Sequence, residues 1–222
     1  MNTKKLAAEQ AVEEITDGMT VGLGTGSTAY YAIEKLGERV KEGLQIRAVA
    51  TSKRSEEQAR ELGIPIVPFA EVKRIDITVD GADEVDDNLE LIKGGGGALL
   101  REKIVAARSD RMIVIVGENK MVSTLGQFPL PVEIVPFAHE WTLEALESLD
   151  LNPGLRMDGD QPYVTDNGNY IADCRAEAIP DPAALHAKLN DIPGVVENGL
   201  FVSMAHTVVV GREDGSVQTL RR

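Results

Sequence analysis

From Leu6 to Val116 the chain alternates helical apolar stripes with short apolar runs of strand length, and this rhythm narrows the fold more than any other feature. Leu6, Ala7, Ala11, Val12 and Ile15 share one helical face within residues 4–15, and Ala29, Ala32, Ile33 and Leu36 share another within 27–40. Residues 52–62 and 98–107 also read as helices. Between them, residues 20–23, 45–50, 64–67, 75–79 and 111–116 read as strands. Such a βαβα order predicts an α/β fold with a mostly parallel, Rossmann-like sheet covered by helices on both faces. Parallel sheets of this kind place ligand sites in the loops beyond the C-terminal ends of their strands.

The rhythm changes near Phe128-Pro129-Leu130-Pro131, where two prolines stop helix and central strand alike. Beyond it come a strand at 132–135, a helix at 137–149, and a strand pair at 163–165 and 170–172 around the hairpin signal Asn167-Gly168. A helix at 182–189 and a strand at 195–200 complete a smaller α+β, ferredoxin-like unit, inserted before a C-terminal hairpin at 207–210 and 217–220. The expected division is a catalytic α/β domain of residues 1–127 plus 206–222 and a small domain of residues 128–205.

Charge and composition exclude whole classes of function. The 222 residues include 36 Asp and Glu against 23 Lys and Arg, a formal charge of −13, which disfavours nucleic acid and anionic membrane. Residues 128–205 carry 13 acidic and 3 basic side chains, whereas residues 1–127 are nearly balanced at 21 and 17, so the charge says little about an anion bound by the first segment. No stretch has the length and apolarity of a membrane span or signal peptide, and Cys174 is the sole cysteine, so the expectation is a soluble cytoplasmic protein. His139, His186 and His206 lie far apart without metal-ligand spacing.

Four motifs sit at strand ends. Gly24-Thr25-Gly26-Ser27-Thr28 joins a strand to a helix, where glycine amides, two hydroxyls and the helix N-terminus can cradle a phosphate. An ordinary capped turn is the competing reading. Dinucleotide binding expects an acidic residue ending the second strand, where Ala50-Thr51-Ser52 stands instead, and a phosphate-binding loop of the Walker type lacks its lysine. In Asp80-Gly81-Ala82-Asp83-Glu84, two carboxylates three positions apart can meet hydroxyls of one sugar; a solvated acidic turn is the alternative. A calcium loop is rejected because Asn88 falls where its glycine belongs.

Lys93-Gly94-Gly95-Gly96-Gly97 spends too much chain entropy to be casual, and its amides can form an oxyanion nest with Lys93 at the rim. Glu102 follows in the first turns of a helix, where the dipole favours the ionised form that a general base needs, although a surface glutamate beside Arg101 and Lys103 is the commoner occurrence. Lys120, after the strand 111–116, is a further lysine at a strand end and by itself reads as a surface residue. Together the four fit a phosphorylated polyol, with one Glu left for proton transfer and no cofactor or metal required.

These motifs, with Phe128-Pro-Leu-Pro-Val-Glu133, Val164-Thr-Asp-Asn-Gly-Asn169 and Ile192-Pro-Gly-Val-Val196, occur in an order that resembles ribose-5-phosphate isomerase, type A, from the first helix to the final hairpin. The resemblance implies interconversion of D-ribose 5-phosphate and D-ribulose 5-phosphate through an enediolate, without metal, by a homodimer. It implies that Glu102 is the base, that Asp80 and Asp83 hold hydroxyls and assist ring opening, and that Lys93 with the Gly94, Gly95 and Gly96 amides stabilises the enediolate oxygen. Thr25, Gly26, Ser27, Thr28 and Lys120, with Lys4 of the first helix, are implied for the phosphate, and Gly81 and Ala82 for the substrate. A sugar-phosphate deaminase or a CoA transferase of related fold would share the first loop without Asp80, Asp83, Lys93 and Glu102 together; a sugar-phosphate-sensing binding domain is a different alternative, against which the retained Glu102 argues.

Overall fold

The computed structural model describes residues 2–222, which divide into two compact units: residues 2–82, 101–121 and 203–222, and residues 83–100 and 122–202. The segment 83–100, expected in the first domain, therefore groups with the second, and the change of unit falls at 121/122 rather than at the prolines.

Along the chain, α1 (Thr3–Val12), β1 (Thr20–Leu23), α2 (Ser27–Lys41), β2 (Arg47–Ala50), α3 (Lys53–Glu61) and β3 (Ile77–Gly81) come first. Two short strands, β4 (Glu84–Val85) and β5 (Leu91–Ile92), precede α4 (Leu99–Ala107) and β6 (Met112–Gly117). Then follow β7 (Leu130–Ile134), α5 (His139–Glu147), β8 (Pro153–Leu155), β9 (Met157–Asp158), β10 (Gln161–Pro162), β11 (Tyr170–Cys174), α6 (Pro182–Asn190), β12 (Val195–Asn198) and β13 (Leu200–Phe201). The hairpin β14 (Thr207–Gly211) and β15 (Val217–Arg221) ends the chain.

The first unit is built on a six-stranded sheet of order β15-β14-β6-β3-β1-β2, parallel except for the edge strand β15. Alternation assigns its faces. Val21 and Leu23 of β1, Ile77 and Val79 of β3, and Ile113 and Ile115 of β6 join Ala7, Ala11, Ile33 and Leu36 of the first two helices in one buried cluster. On the opposite face Gly22 leaves room for Thr78 and for Val105 of α4, where a Cβ would meet the Val105 side chain at 2.8 Å. The expected strand 64–67 is reduced to a single parallel bridge between Ile66 and Ala48, because Pro65 and Pro68 remove amide donors on either side of it.

In the second unit β7, β8, β11 and β12 form an antiparallel sheet of order β12-β7-β11-β8, joined as βαββαβ in the ferredoxin-like manner. Leu130, Val132 and Ile134 of β7 point into a core closed by Leu146 of α5 and Leu189 of α6. The expected pairing of 163–165 with 170–172 does not form, since β11 pairs with β7 and β8 instead. The turn itself survives, with the Thr165 amide donating to Asn169 O at 2.9 Å, because Thr165, Asn167 and Asn169 all donate to Oε1 of the buried Glu133, at 3.0, 3.2 and 2.9 Å. A small sheet of β13, β5 and β4 also belongs to this unit.

Candidate functional site

In the first unit the C-terminal ends of β1, β3 and β6 gather most of the expected residues. Thr25 donates its amide to Asp80 Oδ1 at 3.0 Å, and Gly81 donates to the same oxygen at 2.8 Å. Asp80 is wholly buried, and Gly24 lies so close to it that a Cβ there would run into the carboxylate and backbone. One oxygen of Asp80 thus fixes the turn after β1, while its side chain stays at the strand end.

Ser27 and Thr28 open α2, whose N-cap, Gly26, has φ 109° and contributes no side-chain hydrogen bond. That leaves the first-turn amides to an external acceptor, the arrangement a phosphate group uses. Lys4 Nζ stands 2.9 Å from Ser27 Oγ, so the N-terminal lysine and the loop hydroxyl present a cation and a donor together. A Cβ on Gly81 would lie 3.8 Å from Thr28 Cβ, which brings the second and first motifs side by side. Lys120 ends a one-turn helix, Glu118–Lys120, directly after β6, and Thr3 packs over Gly117 at the end of that strand. Lys4 and Lys120 therefore belong to the same end of the sheet.

Thr25 differs from its neighbours. Its hydroxyl lies 2.7 Å from Thr51 Oγ1, 2.8 Å from Ser52 Oγ and 3.3 Å from Ser55 Oγ. Ser55 Oγ in turn donates to Gly24 O at 2.7 Å, and Thr51 Oγ1 to Leu23 O at 3.0 Å. The Thr25 side chain is thus engaged in a hydroxyl network that supports the loop from behind. Thr51 and Ser52 were legible in the sequence only as the absence of an acidic residue after β2, and Ser55 carried no signal; their supporting role emerges from the fold.

Glu102 lies in the first turn of α4 and is only 4% exposed, so it is no ordinary surface glutamate despite its charged neighbours. The helix N-terminus compensates part of the charge that such burial would otherwise disfavour.

In the second unit, Asp83 Oδ2 accepts the Gly95 amide at 2.8 Å. Lys93 is 2% exposed; its amide donates to Gly199 O at 2.9 Å, and its ammonium lies 5.4 Å from the Phe201 ring centre. Within the glycine run the Gly97 amide turns back to Gly94 O at 3.0 Å. Gly94 has φ 108°, and a Cβ there would press on Leu99 and Pro131, so both space and dihedral demand glycine. Arg156, which carries no sequence motif, donates from Nη1 to Gly94 O at 3.1 Å and to Gly95 O at 3.2 Å.

Among the described residues no three His, Cys, Asp or Glu side chains cluster as metal ligands. His206 Nδ1 instead accepts the Met112 amide at 3.1 Å, and His186 meets Asn198 at 3.1 Å. Trp141 is 73% exposed in this chain. No helix is long and apolar enough to cross a membrane among the described residues.

Comparison with known proteins agrees with this layout. A family model described as ribose 5-phosphate isomerase A (phosphoriboisomerase A) matches residues 47–215. Ribose-5-phosphate isomerase A of Sphingopyxis alaskensis is 51% identical over 211 residues, covering 95% of this chain and 92% of the relative. That of Listeria innocua is 48% identical over 223 residues and is covered, like this chain, over 100% of its length. A solved D-ribose-5-phosphate isomerase in complex with phospho-erythronic acid superposes with a TM-score of 0.96 at 44% identity, covering 100% of both chains. The enzyme of Methanocaldococcus jannaschii gives 0.93 at 42% identity over 99% of this chain and 98% of its own.

Proposed function

Because the chain belongs to the ribose 5-phosphate isomerase A family, we propose a division of labour among its residues for that reaction. The chain is an aldose–ketose isomerase of the pentose phosphate pathway, interconverting ribose 5-phosphate and ribulose 5-phosphate. The observation that carries the assignment of roles is the buried Glu102 at the start of α4, the one carboxylate of its helix's first turn.

Glu102 takes the proton from C2 of the open-chain aldose, and the electron pair passes through the new C1–C2 double bond to O1. The enediolate then receives that proton back at C1 as the O2 hydroxyl proton leaves and O1 gains one, which completes the ketose. Lys93 and the glycine amides stabilise the oxygen on which charge develops. Asp80 and Asp83 hold sugar hydroxyls and assist ring opening. Ser27, Thr28, Lys4 and Lys120, with the first amides of α2, take the phosphate, while Thr25 contributes through its backbone and its supporting network. Gly81 and Ala82, between the two aspartates, approach the substrate with their backbone.

The test is direct. Purified protein with EDTA should convert ribose 5-phosphate to ribulose 5-phosphate, followed by the appearance of the ketose; absence of turnover under those conditions sinks the reading.

The reading extends to a cytoplasmic homodimer. Phe137 and Trp141, four residues apart, are 85% and 73% exposed, and apolar area of this kind is ordinarily covered by a partner. A monomeric mass in solution by light scattering would remove that part.

A further inference from the structure

Two amides of the glycine run have acceptors close by. Gly95 N–H goes to Asp83, and Gly97 N–H goes to Gly94 O. Gly94 N–H and Gly96 N–H have no acceptor among the described residues, and of the two Gly94 is buried and Gly96 exposed. Of the three amides expected to serve an oxyanion, Gly95 is thus engaged and Gly94 belongs to a buried residue, so Gly96 is the exposed one that can face a ligand.

Its direction is set from the other side of the peptide plane. In a trans peptide the C=O of Gly95 and the N–H of Gly96 point in opposite directions. Arg156 Nη1 binds that C=O at 3.2 Å and the Gly94 C=O at 3.1 Å. The guanidinium is itself fixed, since Nε and Nη2 form a two-pronged pair with Asp173 at 2.9 and 2.6 Å. Its backbone is held as well, the Arg156 amide donating to Ile171 O at 2.8 Å and its carbonyl accepting from Tyr163 at 2.9 Å. The Tyr163 ring lies 5.8 Å from the guanidinium carbon, and its hydroxyl covers Gly97 so closely that a Cβ there has no room. The two peptide planes of Gly94–Gly96 are thus pinned through their carbonyls by one rigid fork.

We propose that Arg156, held by Asp173, is a positioning residue that aims the Gly96 amide at the oxygen bearing the enediolate charge. This rests on the isomerase reading given above. The planar fork explains why arginine stands here: a lysine ammonium cannot hold both Asp173 oxygens and two carbonyls in one plane. Loss of the clamp lets the Gly95–Gly96 peptide rotate, and the cost appears where charge develops rather than where phosphate binds.

The experiment compares wild type with Arg156→Lys, Arg156→Met and Asp173→Asn. Expected for the arginine variants is a fall in kcat of about tenfold to a hundredfold with KM within about twofold. Inhibition by phospho-erythronic acid, whose carboxylate presents two oxygens in place of the enediolate, should weaken by a similar factor while inhibition by inorganic phosphate stays unchanged. Arg156→Lys and Asp173→Asn should retain more activity than Arg156→Met. Wild-type kcat in Arg156→Lys and Arg156→Met, or equal weakening of both inhibitors, overturns the proposal. The amide resonance of Gly96 provides a readout that does not depend on turnover. It should shift in Arg156→Lys while those of Ser27 and Lys120 hold, and an unmoved Gly96 overturns the clamp. Wild type without turnover would instead defeat the isomerase reading, with the Gly96 resonance still deciding the clamp.

Discussion

Asp83 Oδ2 and the Gly95 amide are joined at 2.8 Å, and a Cβ on Gly95 would meet Asp83 Oδ1 at 2.7 Å. The carboxylate assigned to a sugar hydroxyl is therefore also a strut of the glycine loop. Replacement by Ala removes both functions, whereas Asn preserves an acceptor for the amide and loses only the charge. Asp83→Ala should lower kcat/KM by about a hundredfold or more, and Asp83→Asn should recover part of the loss. Equal loss in both variants, by initial-rate kinetics, would show that the charge alone matters.

Glu102 is buried in the first turn of α4, and glutamine is nearly isosteric with it. Glu102→Gln should reduce kcat by about a thousandfold, within the range for loss of a general base, with KM little changed. Exchange of the C2 proton with solvent deuterium should vanish in parallel. A variant with near-wild-type kcat would mean that another group moves the proton.

Lys4 and Ser27 lie 2.9 Å apart at the end of the sheet to which Lys120 also belongs. Their charges attract the dianionic phosphate in ground and transition state alike, so their loss is uniform binding. Lys4→Met and Lys120→Met should each raise KM about tenfold, equivalent to about 1.4 kcal/mol, and leave kcat nearly unchanged. The wild-type KM should also rise with ionic strength, as expected for a screened anion contact. An unchanged KM in both variants moves the phosphate elsewhere.

These outcomes separate what the residue pattern carries from what only the fold supplies. Strand-end motifs were legible because their chemistry depends on local chain: glycine amides, a helix N-terminus, and two carboxylates three positions apart. Most element positions in the parallel sheet followed from apolar period, and Ile64–Val67 misled because Pro65 and Pro68 spoil a pattern that hydrophobicity alone supports. The 163–165 strand misled for another reason: Thr165 and Asn169 serve the buried Glu133, a long-range demand that outweighs local hairpin propensity. Arg156 and Asp173 were invisible because they pair across 17 residues and Arg156 meets the glycine run 62 residues away. Ser55 was equally hidden, because its hydroxyl acts on Gly24, 31 residues upstream.

Cys174 offers a test of the second unit's core. It ends β11 with no exposed surface, and burial, assisted by the charges of Asp173 and Glu147, pushes its thiol up to about 12. The unfolded thiol titrates near 9.0. Below that pH both states hold the proton and the stability contribution is complete. As pH rises toward 12, the unfolded chain releases its proton while the native chain retains it, so stability declines. Between pH 8 and 10 wild type should lose about 1.4 kcal/mol more than Cys174→Ala in urea unfolding, since one pH unit above the unfolded value is worth that much. The native thiol should also resist a disulfide reagent at pH 8 that modifies it at once in urea, because the thiolate is the reactive form. Parallel pH profiles for the two proteins, or rapid labelling of the native chain, would show that β11 opens readily and that the small unit's core is not the closed cluster formed by Leu130, Val132, Ile134 and Cys174.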